Sequence, residues 1–258
     1  MSENWQDIIH NNKLQQVGIV GVPPLPTIQA LHDNNIIIHD LDAILVKADL
    51  ENSVPYLPRV YCAILRTVVI NAMNLKLDAI FIDTGPGKCD AAFHVSTILK
   101  ENLKIPIIRT SNNDHQGFGY PLCLTRMNPT EKLVAITEGV KSPVPLTNPP
   151  DPCHPTAGFW GVPPRDFSIM KLFPDTTHVY GWTRCMENKT PADADLEALY
   201  NPEVPTIFFA QSFCAKTALA RMLANKHPRA LYLDIDVHTG SSARAKIQAF
   251  FELSGVKI

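Results

Sequence analysis

Six cysteines, at positions 62, 89, 123, 153, 185 and 214, are the residues of this 258-residue sequence with the widest chemistry open to them. As thiolates they ligate metals and attack electrophiles, and as thiols they fill small spaces in a core. Their placement decides between these roles. Cys89 follows the apolar run Ala79-Ile80-Phe81-Ile82-Asp83 and the turn Gly85-Pro86-Gly87, and Cys214 follows the run Thr206-Ile207-Phe208-Phe209-Ala210. Each run reads as a buried strand, and each cysteine then opens a helix, whose N-terminal N–H groups and partial positive charge favour a thiolate.

Cys62 and Cys185 lie 27 and 29 residues upstream of Cys89 and Cys214. Cys185, the counterpart of Cys62, is either a fourth ligand or a relic of duplication. Cys123 and Cys153 fall in expected loops and read as small core residues. Structural zinc sites draw on short local cysteine pairs, and none is present here, so three cysteines from separate elements suit an iron–sulfur cluster better than zinc.

Other residues offer weaker chemistry. His94, four residues after Asp90, is a candidate for proton transfer or an ordinary surface histidine. In Asp234-Ile235-Asp236-Val237-His238-Thr239-Gly240-Ser241-Ser242, Thr239 and Ser241 suit either a phosphate or the N-cap of the next helix, the cap being the simpler role. Asp114 and His115 follow the fourth strand of the first half, a position suited to a substrate-binding loop.

These residues need a scaffold, and the sequence supplies a regular one. Short β-branched runs alternate with helical segments, the pattern of β-α-β units about a parallel sheet. Strands are expected at 16–20, 35–39, 78–83 and 106–109, with a further one at 132–137, and helices at 27–33, 55–74 and 90–102. After residue 156, strands are expected at 157–161, 177–181, 205–210 and 230–234, with helices at 165–173, 192–200, 215–225 and 241–253. In open parallel sheets ligands bind beyond the carboxyl ends of the strands, which is where Cys89 and Cys214 fall.

The order of elements repeats, and so does a piece of sequence. Gly18-Ile19-Val20-Gly21-Val22-Pro23-Pro24 is echoed by Gly158-Phe159-Trp160-Gly161-Val162-Pro163-Pro164, 140 residues later. The expectation is two α/β parallel-sheet domains related by internal duplication. The first spans residues 1–140 and the second 157–258. Between them, 141–156 carries prolines at 143, 145, 149, 150, 152 and 155 and reads as a linker, since proline suits neither a helix interior nor a central strand.

Composition narrows the functional classes. With 23 basic and 25 acidic residues scattered along the chain, no basic stripe is available for a phosphate backbone, so nucleic acid is not an expected partner. The N-terminus lacks the basic start and apolar run of a signal peptide, and no apolar stretch is long enough to span a bilayer. The expectation is a cytoplasmic protein with no membrane partner and reduced thiols.

Longer motifs add a family resemblance. The stretch from Tyr56-Leu57-Pro58 to Cys62, the strand Leu77–Ile82, the pair Cys89-Asp90 and the segment Ile105-Pro106-Ile107 resemble the 2-hydroxyacyl-CoA dehydratase and benzoyl-CoA reductase family. So do Phe213-Cys214, the strand Ala230–Asp236 and Arg244–Glu252. About half of the chain is covered, and the chain is shorter than a usual subunit of that family. The resemblance implies two flavodoxin-like, Rossmann-type domains with a [4Fe–4S] cluster between them, held by Cys62, Cys89 and Cys214. It also implies an ATP-dependent activator or other electron donor, a paralogous subunit or a second copy of the chain as partner, and an iron–sulfur lyase or reductase working on an acyl-CoA in anaerobic metabolism. Two alternatives stay open on the residues alone: a cluster-binding electron-transfer protein without a substrate of its own, and a metal-free α/β protein that binds a small ligand.

Overall fold

The computed structural model describes residues 5–11 and 13–257, with the side chains of residues 10 and 11 outside the description. The chain divides into two compact units. The first comprises residues 1–117, 140–145 and 189–192, and the second 118–139, 146–188 and 193–258. The boundary near 145 lies within the proline-rich stretch, but 118–139 packs with the second unit and 189–192 with the first, so neither unit is one continuous length of chain.

The first unit carries α1 (Trp5–Asn11), β1 (Gln16–Val20), α2 (Leu25–Asp33), β2 (Ile37–Asp40), a 3₁₀ turn (Leu50–Ser53), α3 (Ala63–Asn74), β3 (Ala79–Asp83), α4 (Asp90–Asn102) and β4 (Ile107–Thr110). Its four strands are parallel in the order β2-β1-β3-β4. Strand β3 is buried at all five positions, as a central strand covered on both faces must be.

In the second unit follow α5 (Pro121–Leu124), α6 (Pro129–Gly139), β5 (Ala157–Gly161), a second 3₁₀ segment (Phe167–Leu172), β6 (Thr177–Tyr180), α7 (Trp182–Asn188), α8 (Ala194–Ala198), β7 (Thr206–Gln211), α9 (Thr217–Lys226), β8 (Ala230–Ile235) and α10 (Ser241–Leu253). The sheet is again parallel, ordered β6-β5-β7-β8. Its core is aromatic: Phe159 stacks on Phe209 with ring centroids 5.7 Å apart, and Phe173 meets Phe251 edge-on at 5.2 Å. An α/β protein with two four-stranded parallel sheets is therefore present, as expected.

Several local expectations are corrected. Residues 132–137 are not a strand but the middle of α6, where Lys132, Leu133 and Ile136 share a buried face at helical spacing. The helix expected from residue 55 starts only at Ala63, because Pro55 and Pro58 break the lead-in and the Arg66 side chain holds it as turns. Its guanidinium donates to Ser53 Oγ at 2.9 Å, Leu50 O at 2.8 Å and Arg59 O at 3.2 Å. The segment at 165–173 is a 3₁₀ helix, with the Asp166 carboxylate accepting from Ser168 N. Helix α7, which contains Cys185, was not expected. No helix among the described residues is long and apolar enough to cross a membrane.

Candidate functional site

In the first unit, Cys62 is the N-cap of α3 and Cys89 the N-cap of α4, and neither side chain is used to cap its helix. Cys62 is buried and Cys89 partly exposed. Both act on Tyr61, whose hydroxyl is pushed above its ordinary pKa first by burial and then by Cys89 and Cys62. The Tyr61 hydroxyl donates only a long bond, 3.5 Å, to Ala91 O in the first turn of α4. Thus two of the three expected ligands, on separate helices, come within electrostatic reach of one phenol.

The carboxyl edge of the same sheet carries an ionic cluster that sequence reasoning missed. Asp83, the last residue of β3, is buried, with Oδ1 accepting from Gly85 N at 3.2 Å and Asn112 N at 3.0 Å. Its Oδ2 faces Lys88 Nζ at 3.6 Å. Asp42 accepts from Gly21 N at 2.7 Å and also lies in the field of Lys88. Burial raises both Asp42 and Asp83 above the usual carboxylate range, against the opposing pull of the lysine.

Asn112 binds this edge together. Its amide donates to Val22 O at 3.0 Å and Lys189 O at 3.2 Å, while its Oδ1 accepts from Asp114 N at 2.9 Å. Lys189 is buried, and desolvation lowers its ammonium to about 8 against the favourable field of Asp40. A signal for the cluster existed in the sequence: Asp83 ends an otherwise apolar strand, and Lys88 precedes Cys89. For Lys189 none existed, since it arrives from 106 residues beyond Asp83.

In the second unit, Cys214 is partly exposed and sits in the turn before α9, with Cys214 N donating to Gln211 O at 3.0 Å. Phe213 before it is exposed and has a left-handed backbone, φ 63°. Cys185 does not match the setting of Cys62. It lies inside α7, fully buried, donating to Asp193 O at 3.7 Å, and burial pushes its thiol up to about 12, which suppresses the thiolate a ligand must be.

The remaining candidates have structural surroundings. Cys123 is fully buried in the short helix α5, its thiol pushed well up by burial and by Glu187. Cys153 Sγ lies 3.9 Å from His178 Nε2, but that nitrogen also bonds Cys153 O at 2.9 Å, so the ring is held by backbone rather than poised as a base. The N-cap of α10 is Gly240, not Thr239 or Ser241, and Thr239 instead supports the Asp166 carboxylate. His94 and His115 are exposed.

Among the described residues, no group of three or more His, Cys, Asp or Glu side chains is arranged to hold a metal ion. The sequence matches no protein-family model and no curated protein.

Proposed function

We propose that this chain is an iron–sulfur protein of the 2-hydroxyacyl-CoA dehydratase type, working in the cytoplasm of an anaerobic metabolism. Cys62 and Cys89 would be two ligands of its [4Fe–4S] cluster, and Cys214, supplied by the family resemblance, the third. The observation that carries this reading is that cysteines stand at the N-caps of both α3 and α4, neither making a side-chain cap hydrogen bond, and both act electrostatically on Tyr61. Helix N-termini favour thiolates, and thiolates from separate elements are the donor set such clusters use. When bound, the cluster would supply a low-potential electron, received from an ATP-dependent activator, to an acyl-CoA thioester.

The chain's own residues have definable parts in this reading. The N-termini of α3 and α4 place Cys62 and Cys89 beside helix-terminal N–H groups, and the Tyr61 hydroxyl makes only a long bond, 3.5 Å, to Ala91 O. Support for descent of the two units from one ancestor comes from the shared strand order and the repeated Gly-Val-Pro-Pro turn. Equivalent registers agree: Gly18 pairs with His39 and Ile80, and Gly158 with His178 and Thr206.

The test is anaerobic purification with iron and acid-labile sulfide analysis and EPR after dithionite reduction. About four irons and four sulfides per chain are expected, with loss of iron on replacing Cys62, Cys89 or Cys214 by Ala. Absence of iron and sulfide after reconstitution overturns the cluster. A full cluster in all three variants overturns the ligand set.

A further inference from the structure

In the first unit the amino edge of the sheet is closed by the chain's own carboxylate. Asp78, just before β3, accepts through Oδ2 from Gln15 N at 2.7 Å and Gln16 N at 2.9 Å, and these bonds hold it below the usual carboxylate range. The second unit has no such group. Gly18 pairs with Ile80 and Gly158 with Thr206, so two residues earlier in each strand Thr156 stands in the place of Gln16 and Val204 in the place of Asp78. Thr156 N, unlike Gln16 N, makes no hydrogen bond among the described residues.

Thr156 and Val204 both line a cavity of about 500 Å³ at this edge, a volume suited to a small organic ligand. Thr176 lines it too, a buried residue whose hydroxyl is 2.6 Å from that of Thr156. Whichever of the two hydroxyls donates, the other's hydrogen is left for a ligand. The charges here are mixed: Arg126 is held by Asp175 at 3.4 Å, whereas Arg229, Lys257 and Glu203 make no ion pair among the described residues. Three cations against two carboxylates leave one positive charge, which suits a monoanion, and the carboxylates oppose a second negative charge on the ligand. Pro174, Pro205 and Val256 join Val204 as apolar lining, so the body of the ligand is hydrocarbon.

We infer that the amino edge of the second sheet binds a small monocarboxylic acid with a hydrocarbon body, its carboxylate taking the place that the Asp78 carboxylate has in the first unit. Thr156 N and the Thr156–Thr176 hydroxyl pair donate to that carboxylate, and Arg229 and Lys257 supply the charge. The cavity lies wholly within the second unit, at the end of β7 away from Cys214, so the inference does not rest on the cluster.

The experiment titrates the full chain with hexanoate and follows backbone amide shifts by NMR, with hexan-1-ol and adipate as the uncharged and dianionic comparisons. Expected are shifts centred on Thr156, Thr176 and Val204, a Kd on the order of 1 mM, and binding about tenfold weaker for either comparison. Arg229→Gln, at an exposed position, should weaken hexanoate about tenfold, and Val204→Asp, which puts a carboxylate where the first unit has one, should abolish binding. If Val204→Asp does not fold, Lys257→Gln, also exposed, takes its place and should weaken binding about fivefold. No shifts at these amides at about 20 mM hexanoate, equal binding of hexan-1-ol, or undiminished binding in the folded variants overturns the inference.

Discussion

The Lys88 amine occupies the space a side chain on Gly21 would fill: a Cβ built on Gly21 would lie 2.5 Å from Nζ and 2.9 Å from Cε. Gly21 also has φ +76°, a conformation that an L side chain adopts only under strain. The glycine that follows β1 therefore makes room for the ion partner of the aspartate that ends β3. Gly21→Ala should destabilise the first unit by about 2 kcal/mol, combining backbone strain with displacement of the lysine. Urea denaturation measures it, and an unchanged midpoint would show that Lys88 can relocate freely.

The Asp83–Lys88 pair invites a double-mutant cycle. Asp83→Leu alone removes the carboxylate 3.6 Å from the buried Lys88 ammonium, and a loss of about 3 kcal/mol is expected. Asp83→Leu with Lys88→Met places apolar groups where the second unit already has Phe209, and should recover that loss or exceed the wild type by roughly 1 kcal/mol. Additive losses in the double variant would mean that the pair is not coupled.

What the sequence made legible was the part governed by local pattern. Runs such as Ala79–Asp83 and Thr206–Ala210 are apolar enough to be strands in any context, and α10 falls on residues 241–253 as expected from its periodicity. The segment 132–137 misled because Leu133, Val134, Ala135 and Ile136 form an apolar run that both a strand and a buried helix face permit; Lys132 settles it by reaching Thr125 O at 2.7 Å and Thr177 O at 2.6 Å from the helix. Matching the two halves by sequence pairs Ala79 with Thr206, whereas register pairs Ile80 with Thr206, a shift of one residue that local similarity cannot detect. The cysteines could be seen, but the ionic edge could not. Its members come from Gly21, Asp42, Asp83, Lys88, Asn112 and Lys189, which only tertiary packing brings together.

Thiol reactivity should separate the cysteines by environment. Cys89, Cys153 and Cys214 are partly exposed, whereas Cys62, Cys123 and Cys185 are buried. In the native apo chain, iodoacetamide at mildly alkaline pH should modify Cys89 and Cys214 first, and leave Cys123 and Cys185 unmodified until the chain unfolds. Peptide mass spectrometry over a time course reads the order. Early modification of Cys185 would contradict its buried place in α7.

Gly87 should be intolerant of any side chain. A Cβ there would lie 1.8 Å from Pro191 O, and its φ is +79°. Both partners belong to the first unit, so Gly87→Ala must push away the segment 189–192 or distort the loop before Cys89. A loss of about 3 kcal/mol is expected, with faster hydrogen exchange in 189–192. Unchanged exchange there would place the strain elsewhere.

Lys189 predicts a direction for stability against pH. Its ammonium is lowered by burial to about 8 from an ordinary 10.5, with Asp40 opposing the shift. Between these two values the unfolded chain binds more protons at this site than the folded chain, so stability rises with pH across that window. Below about 8 the folded state must carry a buried ammonium, and the contribution is at its least favourable. The rise from this one group is roughly 3 kcal/mol if the whole window is traversed. Tyr61, Tyr180 and Tyr232, each raised by burial, favour the folded state less as the pH climbs past their unfolded values near 10. Comparison of the wild type with Lys189→Met cancels them. Urea midpoints taken from pH 7.5 to 9.5 should climb more steeply in the wild type than in the variant; parallel curves would mean that Lys189 stays protonated and that Asp40 outweighs its burial.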